Sequence, residues 1–382
     1  MDIVVMGYKD SLEILRLTKY DIKNAIYEKG VEVEGGLVTY ADAIRNIKLP
    51  TVDYWKVYKG VKFSGSTISQ FPKLIFEEGY TDASYLFSGC DNITTIPQID
   101  MTKFTDTFLM FQGCDKLEYL PPLNLPNIIG CRDMFANCNG LGEVQDIEMI
   151  NSIDAYGMFD ESNLPKINKL ILPKAENVRR IFRYCRQLVE VGEIDISGAK
   201  DCEGMFEYDT NLVTLPQIDL KSCQNLKWAF DGCSKMESFN LINTGGVKEW
   251  NGAFRDCKSL KYGPELDTSS AQNVSQMFSG CTLLESLPLY DFGNVTSTSD
   301  MFGSNNFNKL TDLGGFKNLH ASLNLSGMPN LTVQSLMNVI NNLKNLSGAG
   351  LAPRTLTLGT TNLNKLTAEQ KAVATNKGWV LA

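Results

Sequence analysis

A phenylalanine with a small or sulfur-bearing residue three positions on recurs through most of this chain at a nearly fixed interval. The anchors are Phe87, Phe111, Phe135, Phe159, Phe182, Phe206, Phe230, Phe254, Phe278 and Phe302, every step being 24 residues except one of 23. A period between roughly 20 and 50 residues marks a stacked repeat array, because one unit is too small to bury its own apolar edge.

Counting from each anchor gives every slot a physical role. Three residues on stands Cys90, Cys114, Cys138, Cys185, Cys233, Cys257 or Cys281. Six on comes an aliphatic residue (Ile93, Leu117, Leu141, Leu188), and nine on another apolar one (Ile96, Leu120, Phe239), with Gly263 as the exception. Spacing of three suits a tight turn or 3₁₀ segment. A proline often follows (Pro97, Pro121, Pro216, Pro264, Pro288), as at a strand start. Alternating pairs such as Ile99 and Met101 or Ile194 and Ile196 then read as a short strand with one face inward. After Phe159 and Phe302 the thiol slot holds Ser162 and Asn305, and the apolar residues arrive one position early. Phe63, 24 residues before Phe87, opens a degenerate first coil of the same shifted kind.

The pattern predicts a solenoid of short parallel strands and turn or 3₁₀ arms over residues 51–327, with Thr51–Phe63 as a covering strand. Residues 1–50 are expected to form a helical attachment module. Thr18 and Thr39 are near-matches to capping boxes, opening helices over about 19–29 and 40–47, with Leu12, Leu15 and Leu17 extending the module. Residues 328–382 read as an α/β capping unit. It comprises a helix from Thr332 over about 333–345, a strand at 355–358, a capping box at Thr367-Ala-Glu-Gln370, and a last strand at Trp379-Val-Leu381.

A net charge of −8 disfavours nucleic acid. No apolar run approaches the 18 or so residues that span a membrane. The start, MDIVVMGYKD, lacks a basic n-region and a long apolar stretch, so export through the usual pathway is not expected. Ten cysteines invite a disulfide reading. All ten, however, fall in columns otherwise filled by apolar residues, as buried free thiols do. The parallel Cβ vectors of stacked coils would also aim paired sulfurs poorly.

Chemistry is sparsely represented. His320 is the only histidine, and it lies in the strand-like run KNLHASLNL. There is no Cys-x-x-Cys, no histidine pair and no phosphate-binding glycine motif, so no metal, no cofactor and no catalytic residue is expected. One polar column, 13 after the anchor, carries Asp100, Asn124, Glu148, Asp195, Asp219, Asn243, Asp267 and Asp291. Asp and Asn bond their own backbone two residues on, so turn closure explains the column. The alternative is a polar groove that binds cations or sugar hydroxyls. On that alternative the candidate binding residues are Asp100, Glu148, Asp195, Asp219, Asp267 and Asp291, with Tyr119 and Tyr262, which share the slot eight after the anchor.

The MFSGC and LxxLP phrases resemble the leucine-rich repeats of BspA-like bacterial surface proteins over residues 63–327. That resemblance implies a curved or twisted solenoid used for adhesion and recognition. The segment DIKNAIYEKGVEVEGGLVTYADAIRNI is similar to a helical module of tailed-phage virion structural proteins, crAss-like phages being the narrower suggestion. The C-terminal TLTLGTTNLNKLTAEQKAVATNKGWVLA resembles the closing unit of phage and prophage repeat proteins. The two resemblances together imply a non-enzymatic virion protein, a head or tail fibre or appendage, assembled in the host cytoplasm. Residues 1–50 would meet other virion proteins, and the solenoid would meet a host surface protein or glycan. A homotrimer would be usual for such an appendage, although no heptad run enforces one. The alternative is a bacterial surface adhesin or protein-binding scaffold. A glycan-processing enzyme is a third class, for which no acid–base pair stands out.

Overall fold

The computed structural model describes the backbone of residues 3–5, 15–17, 54–303 and 307–382, and side chains from residue 57 onward. The helices expected over 19–29 and 40–47, and the Asn305 slot, lie outside the described residues. Leu15 and Leu17 do not extend a helix. Leu15–Leu17 is a strand paired antiparallel with Ile3–Val5. Leu-Arg-Leu alternates, and such a short apolar pattern fits either state.

The anchor rings form one continuous stack. Phe63 to Phe87 is 5.5 Å between centroids, and each later neighbour pair from Phe87 to Phe302 is 5.2–6.3 Å apart and within 18° of parallel. Consecutive coils are therefore spatial neighbours, as a stacked array requires. The degenerate coil at Phe63 belongs to it.

Backbone bonds explain the fixed period. In each arm alternate N–H groups donate to the next coil: Ala83 to Asp106, Tyr85 to Phe108, Phe87 to Met110 and Gly89 to Gln112, all at 2.7–2.8 Å. The residues between close turns within the coil, Leu86 to Ala83, Ser88 to Tyr85 and Cys90 to Phe87. These arms are not 3₁₀ helices. The positions two before and two after the anchor take positive φ, for example Arg180 (57°) and Tyr184 (59°), which breaks any helical run. Among the described residues the 3₁₀ turns are Met101–Lys103 and Thr244–Gly246, both just after the strand slot.

The strands are short and parallel. Leu123–Asn124, Val144–Glu148, Lys166–Ile171 and Glu190–Asp195 form a four-stranded sheet in coil order. Ile218–Asp219 pairs with Leu241–Ile242, and Ser286–Asp291 with Asp312–Lys317. At the N-terminal side Tyr54–Val57 pairs with Lys73–Phe76, a shorter strand than the expected 51–63. The exceptional Gly263 has a local cause: a Cβ there would collide with Leu287 and the Tyr290 hydroxyl, which donates to the Pro264 carbonyl at 2.9 Å.

The last residues change character. Leu323–Asn324, Arg354–Thr357 and Trp379–Leu381 form a parallel three-stranded sheet. The helix Val333–Asn342 starts where the Thr332 side chain accepts from Ser335 N, and it buries Leu336, Val339 and Ile340. Thr367 and Gln370 make the reciprocal capping box that opens Ala368–Asn376. His320 lies in the loop before Leu323–Asn324, outside any strand.

All ten cysteines are free and buried. The thiol column has a hydrogen-bonding role. Cys90, Cys114, Cys138, Cys185, Cys233, Cys257 and Cys281 donate to the anchor Phe carbonyl of the preceding coil at 3.0–3.2 Å. Ser162 takes over in its coil, donating to Phe135 O at 2.6 Å. Burial pushes the Cys90 thiol up to about 11 and the Cys131 and Cys138 thiols up to about 12.

Two outcomes follow. Phe206→Ala should lower the apparent unfolding free energy by about 3–5 kcal/mol, because it opens a gap in the stack. Asp219→Ala removes the turn bond from Lys221 N and the bond from Asn243 and should cost about 1–2 kcal/mol; denaturant titration distinguishes the two. A thiol reagent at pH 8 should label none of the ten cysteines in the folded chain and all of them after denaturation.

Candidate binding surface

The polar column after the strands is built from Asx turns. Asp100, Asp195, Asp219, Asp267 and Asp291 each accept the backbone N–H two residues on, from Thr102, Ser197, Lys221, Ser269 and Gly293, at 3.0–3.1 Å. Hydrogen bonds from Thr102 hold the Asp100 carboxyl below its usual range, and those from Ser269 do the same for Asp267. Glu148, too long for this turn, accepts from Lys169 Nζ at 2.7 Å. Asn243 donates to Asp219 across one coil at 2.9 Å. Turn closure therefore engages one oxygen, Oδ1, of each of these aspartates. Tyr119 and Tyr262 are 49% and 60% exposed, but they stand six coils apart, about 29 Å at the strand spacing, so one ligand ring cannot use both.

A richer surface lies on the other side of the ring stack, on the arms. Arg183 holds Asp160 of the preceding coil through two bonds at 2.8 and 2.7 Å, and Arg255 holds Asp231 in the same way, with Nε to Oδ1 at 2.9 Å. Burial raises both carboxyls above their usual range, and the guanidiniums work against that rise. Asp133 nearby is pushed up to about 6, chiefly by burial. Tyr184 and Tyr208 stack at 5.0 Å and within 2° of parallel, with Arg183 and Arg186 over Tyr184 at 5.2 and 5.3 Å. Tyr156 lies under Arg132 and bonds Arg180, and Lys227 sits 3.9 Å over Trp228. Rings here cover glycines of the next coil. A Cβ on Gly232 would meet Tyr208 at 2.7 Å, and one on Gly252 would meet Trp228 at 2.5 Å.

Slot-by-slot reading of the sequence misses this surface, although it carries a signal. Opposite charges recur one period apart in one slot (Asp160 and Arg183, Asp231 and Arg255), as do an aromatic and then a glycine (Tyr208 and Gly232, Trp228 and Gly252). A second Asx column, five before the anchor, is also missed. There Asp82, Asp106, Asp154, Asn177, Asp201, Asn225 and Asn273 close turns onto the N–H two residues on.

One group inside the array breaks the chemistry of its column. Asp209 stands in the thiol slot three after Phe206, is fully buried, and neither carboxyl oxygen has a hydrogen-bond partner among the described residues. Burial pushes it well above the usual carboxylate range, and Asp160 and Glu207 push the same way.

Among the described residues no cluster of His, Cys, Asp and Glu could hold a metal ion, and no helix is long and apolar enough to cross a membrane. Residues 71–189 match the family described as BspA type leucine rich repeat region, in six copies. That stretch is similar to BspA-type leucine-rich repeats. Its parallel strands and period agree with that likeness. Farther along, residues 176–282 and 224–328 match a family described as Mycoplasma protein of unknown function, DUF285. A solved leucine-rich repeat protein from Bacteroides ovatus is similar at 14% identity over 78% of this chain and 86% of that one. Its TM-score of 0.25 is too low to bear on geometry. No curated protein matches.

Asp209 gives a pH-dependent outcome. Its folded pKa is raised, so its contribution is fully present below the unfolded value of about 4 and is lost as pH rises toward the folded value. Asp209→Cys restores the column and should be the more stable protein at neutral pH. Its advantage in denaturation midpoint should widen between pH 4 and 8. Parallel pH profiles for the two proteins would contradict the buried neutral acid.

Proposed function

We propose that the chain is a non-enzymatic binding scaffold of adhesin type, a solenoid of BspA-type coils whose outer columns recognise a protein on another surface. The observation that carries this reading is the separation of interior from exterior. The anchor Phe and mostly apolar neighbours fill the inside of each coil, while slots such as those of Tyr184, Trp228 and Arg255 change freely from coil to coil. A surface that varies over a constant core is what recognition by repeat proteins uses. Tyr, Trp and Arg, which dominate binding hot spots, are concentrated on the arms between Tyr156 and Arg255.

In the same reading residues 328–382 cap the array, and residues 1–50 attach it to a larger assembly. The comparisons favour the scaffold over a virion role, for which they offer no support. Each of the strand-flanking aspartates Asp100, Asp195, Asp219, Asp267 and Asp291 spends one oxygen on its own turn, which suits a structural role beside a binding surface.

Fluorescently labelled protein applied to bacterial and epithelial cells tests the reading. Binding should disappear after the cells are shaved with protease and survive periodate oxidation of their glycans. The reverse pattern would move recognition to sugars. Binding to no cell type, or a ligand recovered chemically altered, would remove the scaffold assignment.

A further inference from the structure

Where the coils turn toward the arm, a groove of about 620 Å³ crosses four of them. Its floor is Ile129 and Ile153, 50% and 52% exposed, in adjacent coils joined by the bond from Ile153 N to Ile129 O at 2.9 Å. Lys103 stands at one end and Lys174 at the other. Asn127 and Asn151 line the wall, held by Nδ2 bonds to the Thr102 and Pro126 carbonyls at 2.7 and 2.8 Å.

The lining contains no carboxylate, on a chain of net charge −8. Neither lysine forms an ion pair among the described residues; Lys174 bonds only the Asn151 amide oxygen, at 2.7 Å. The acids alongside are already engaged. Asp106 and Asp154 close turns onto Phe108 and Tyr156, and Glu176 pairs with Lys200 at 2.7 Å. Two cations outside any ion pair, Lys103 near its own turn's Asp100 and Lys174 on the Asn151 amide, flank exposed aliphatic surface and complement an occupant that is acidic at both ends and apolar between.

Spacing narrows the occupant further. Lys103 and Lys174 lie three coil steps apart, about 14 Å at the strand spacing of roughly 4.8 Å. An extended peptide rises about 3.4 Å per residue, so four residues cover the same distance, and positions i, i+2 and i+4 share one face. We propose that this groove binds an extended segment of a partner protein reading acid-x-aliphatic-x-acid. The two carboxylates meet Lys103 and Lys174, and the central side chain rests on Ile129 and Ile153. This rests on the scaffold reading and names its partner chemistry.

The test is fluorescence anisotropy on the full chain with a labelled peptide of that pattern. The control has the same composition but carries its acids at i and i+3, on opposite faces. The patterned peptide should bind at least about tenfold tighter than the control and weaken as salt rises. Lys103→Ala with Lys174→Ala, and separately Ile129→Ser with Ile153→Ser, should each weaken it about tenfold or more with melting unchanged, since all four side chains are exposed. Equal binding of the two peptides, indifference to the lysine pair, or binding of a uronic-acid oligosaccharide in place of the peptide would overturn the assignment. The cell assay keeps the two readings apart. Protease-sensitive cell binding that the lysine double variant retains would dismiss the groove and leave the scaffold standing.

Discussion

Everything in this molecule depends on one coil bonding to the next. Four arm N–H groups per coil donate across the gap while the others close turns, and the anchor rings stack in the same direction at 5.2–6.3 Å. The backbone ladder sets the rung, and offset parallel stacking of the rings tolerates it. A one-residue slip would place a turn-closing N–H opposite a carbonyl that needs a cross-coil donor. That constraint keeps the period at 24 and concentrates its single departure, the 23-residue step after Phe159, in a coil where Ser162 replaces the thiol.

The arm is held in a conformation that side chains resist. Two positions per coil are left-handed, and most are not glycine: Leu109, Arg180, Tyr184, Tyr208 and Trp228 all sit there. Such a residue costs about 1–2 kcal/mol; most coils hold one, with glycine at the other position, and the pairs Asp133 with Asn137 and Arg180 with Tyr184 bring their coils to about 2–4 kcal/mol of strain. Four cross-coil hydrogen bonds contribute about 0.5–1.5 kcal/mol each, enough to offset it before any ring stacking is counted. The left-handed slots then throw their side chains onto the outer face. Tyr184 and Tyr208 stack there, and Arg183 and Arg255 reach back to Asp160 and Asp231.

How much of this was readable in the residues depended on how many chemistries a column tolerates. The phenylalanine column tolerates one, so Phe87 to Phe302, and even the degenerate Phe63, were legible as a spine. The cysteines were legible as buried thiols from the apolar company they keep. Their hydrogen bonds to the Phe carbonyls were not, because a donor role appears only once the coils are in register. The same holds for Arg183 with Asp160, which look like unrelated surface charges until residues 23 apart are set side by side. Asp209 passed unnoticed because its slot was defined by thiols. The expected 3₁₀ arm failed because three-residue spacing cannot reveal the left-handed positions between the spaced residues. Leu15 and Leu17 failed for a different reason: three residues are too few to separate a helix from a strand.

The candidate surfaces differ in what they leave available. The strand-flanking aspartates were the visible polar stripe, yet each spends an oxygen on its own turn. The arm charges are paired to one another across coils, with Asp160 and Asp231 largely buried, so a partner there gains from the surrounding rings rather than by displacing those pairs. The corner groove is the reverse case. Its asparagines are fixed by backbone bonds, its lysines form no ion pair among the described residues, and its isoleucines face water. An occupant gains apolar burial and two charge contacts there without breaking any bond that holds the coils together. Recognition is favoured where stacking has already been satisfied by other groups, and among these surfaces that condition is met at Ile129 and Ile153.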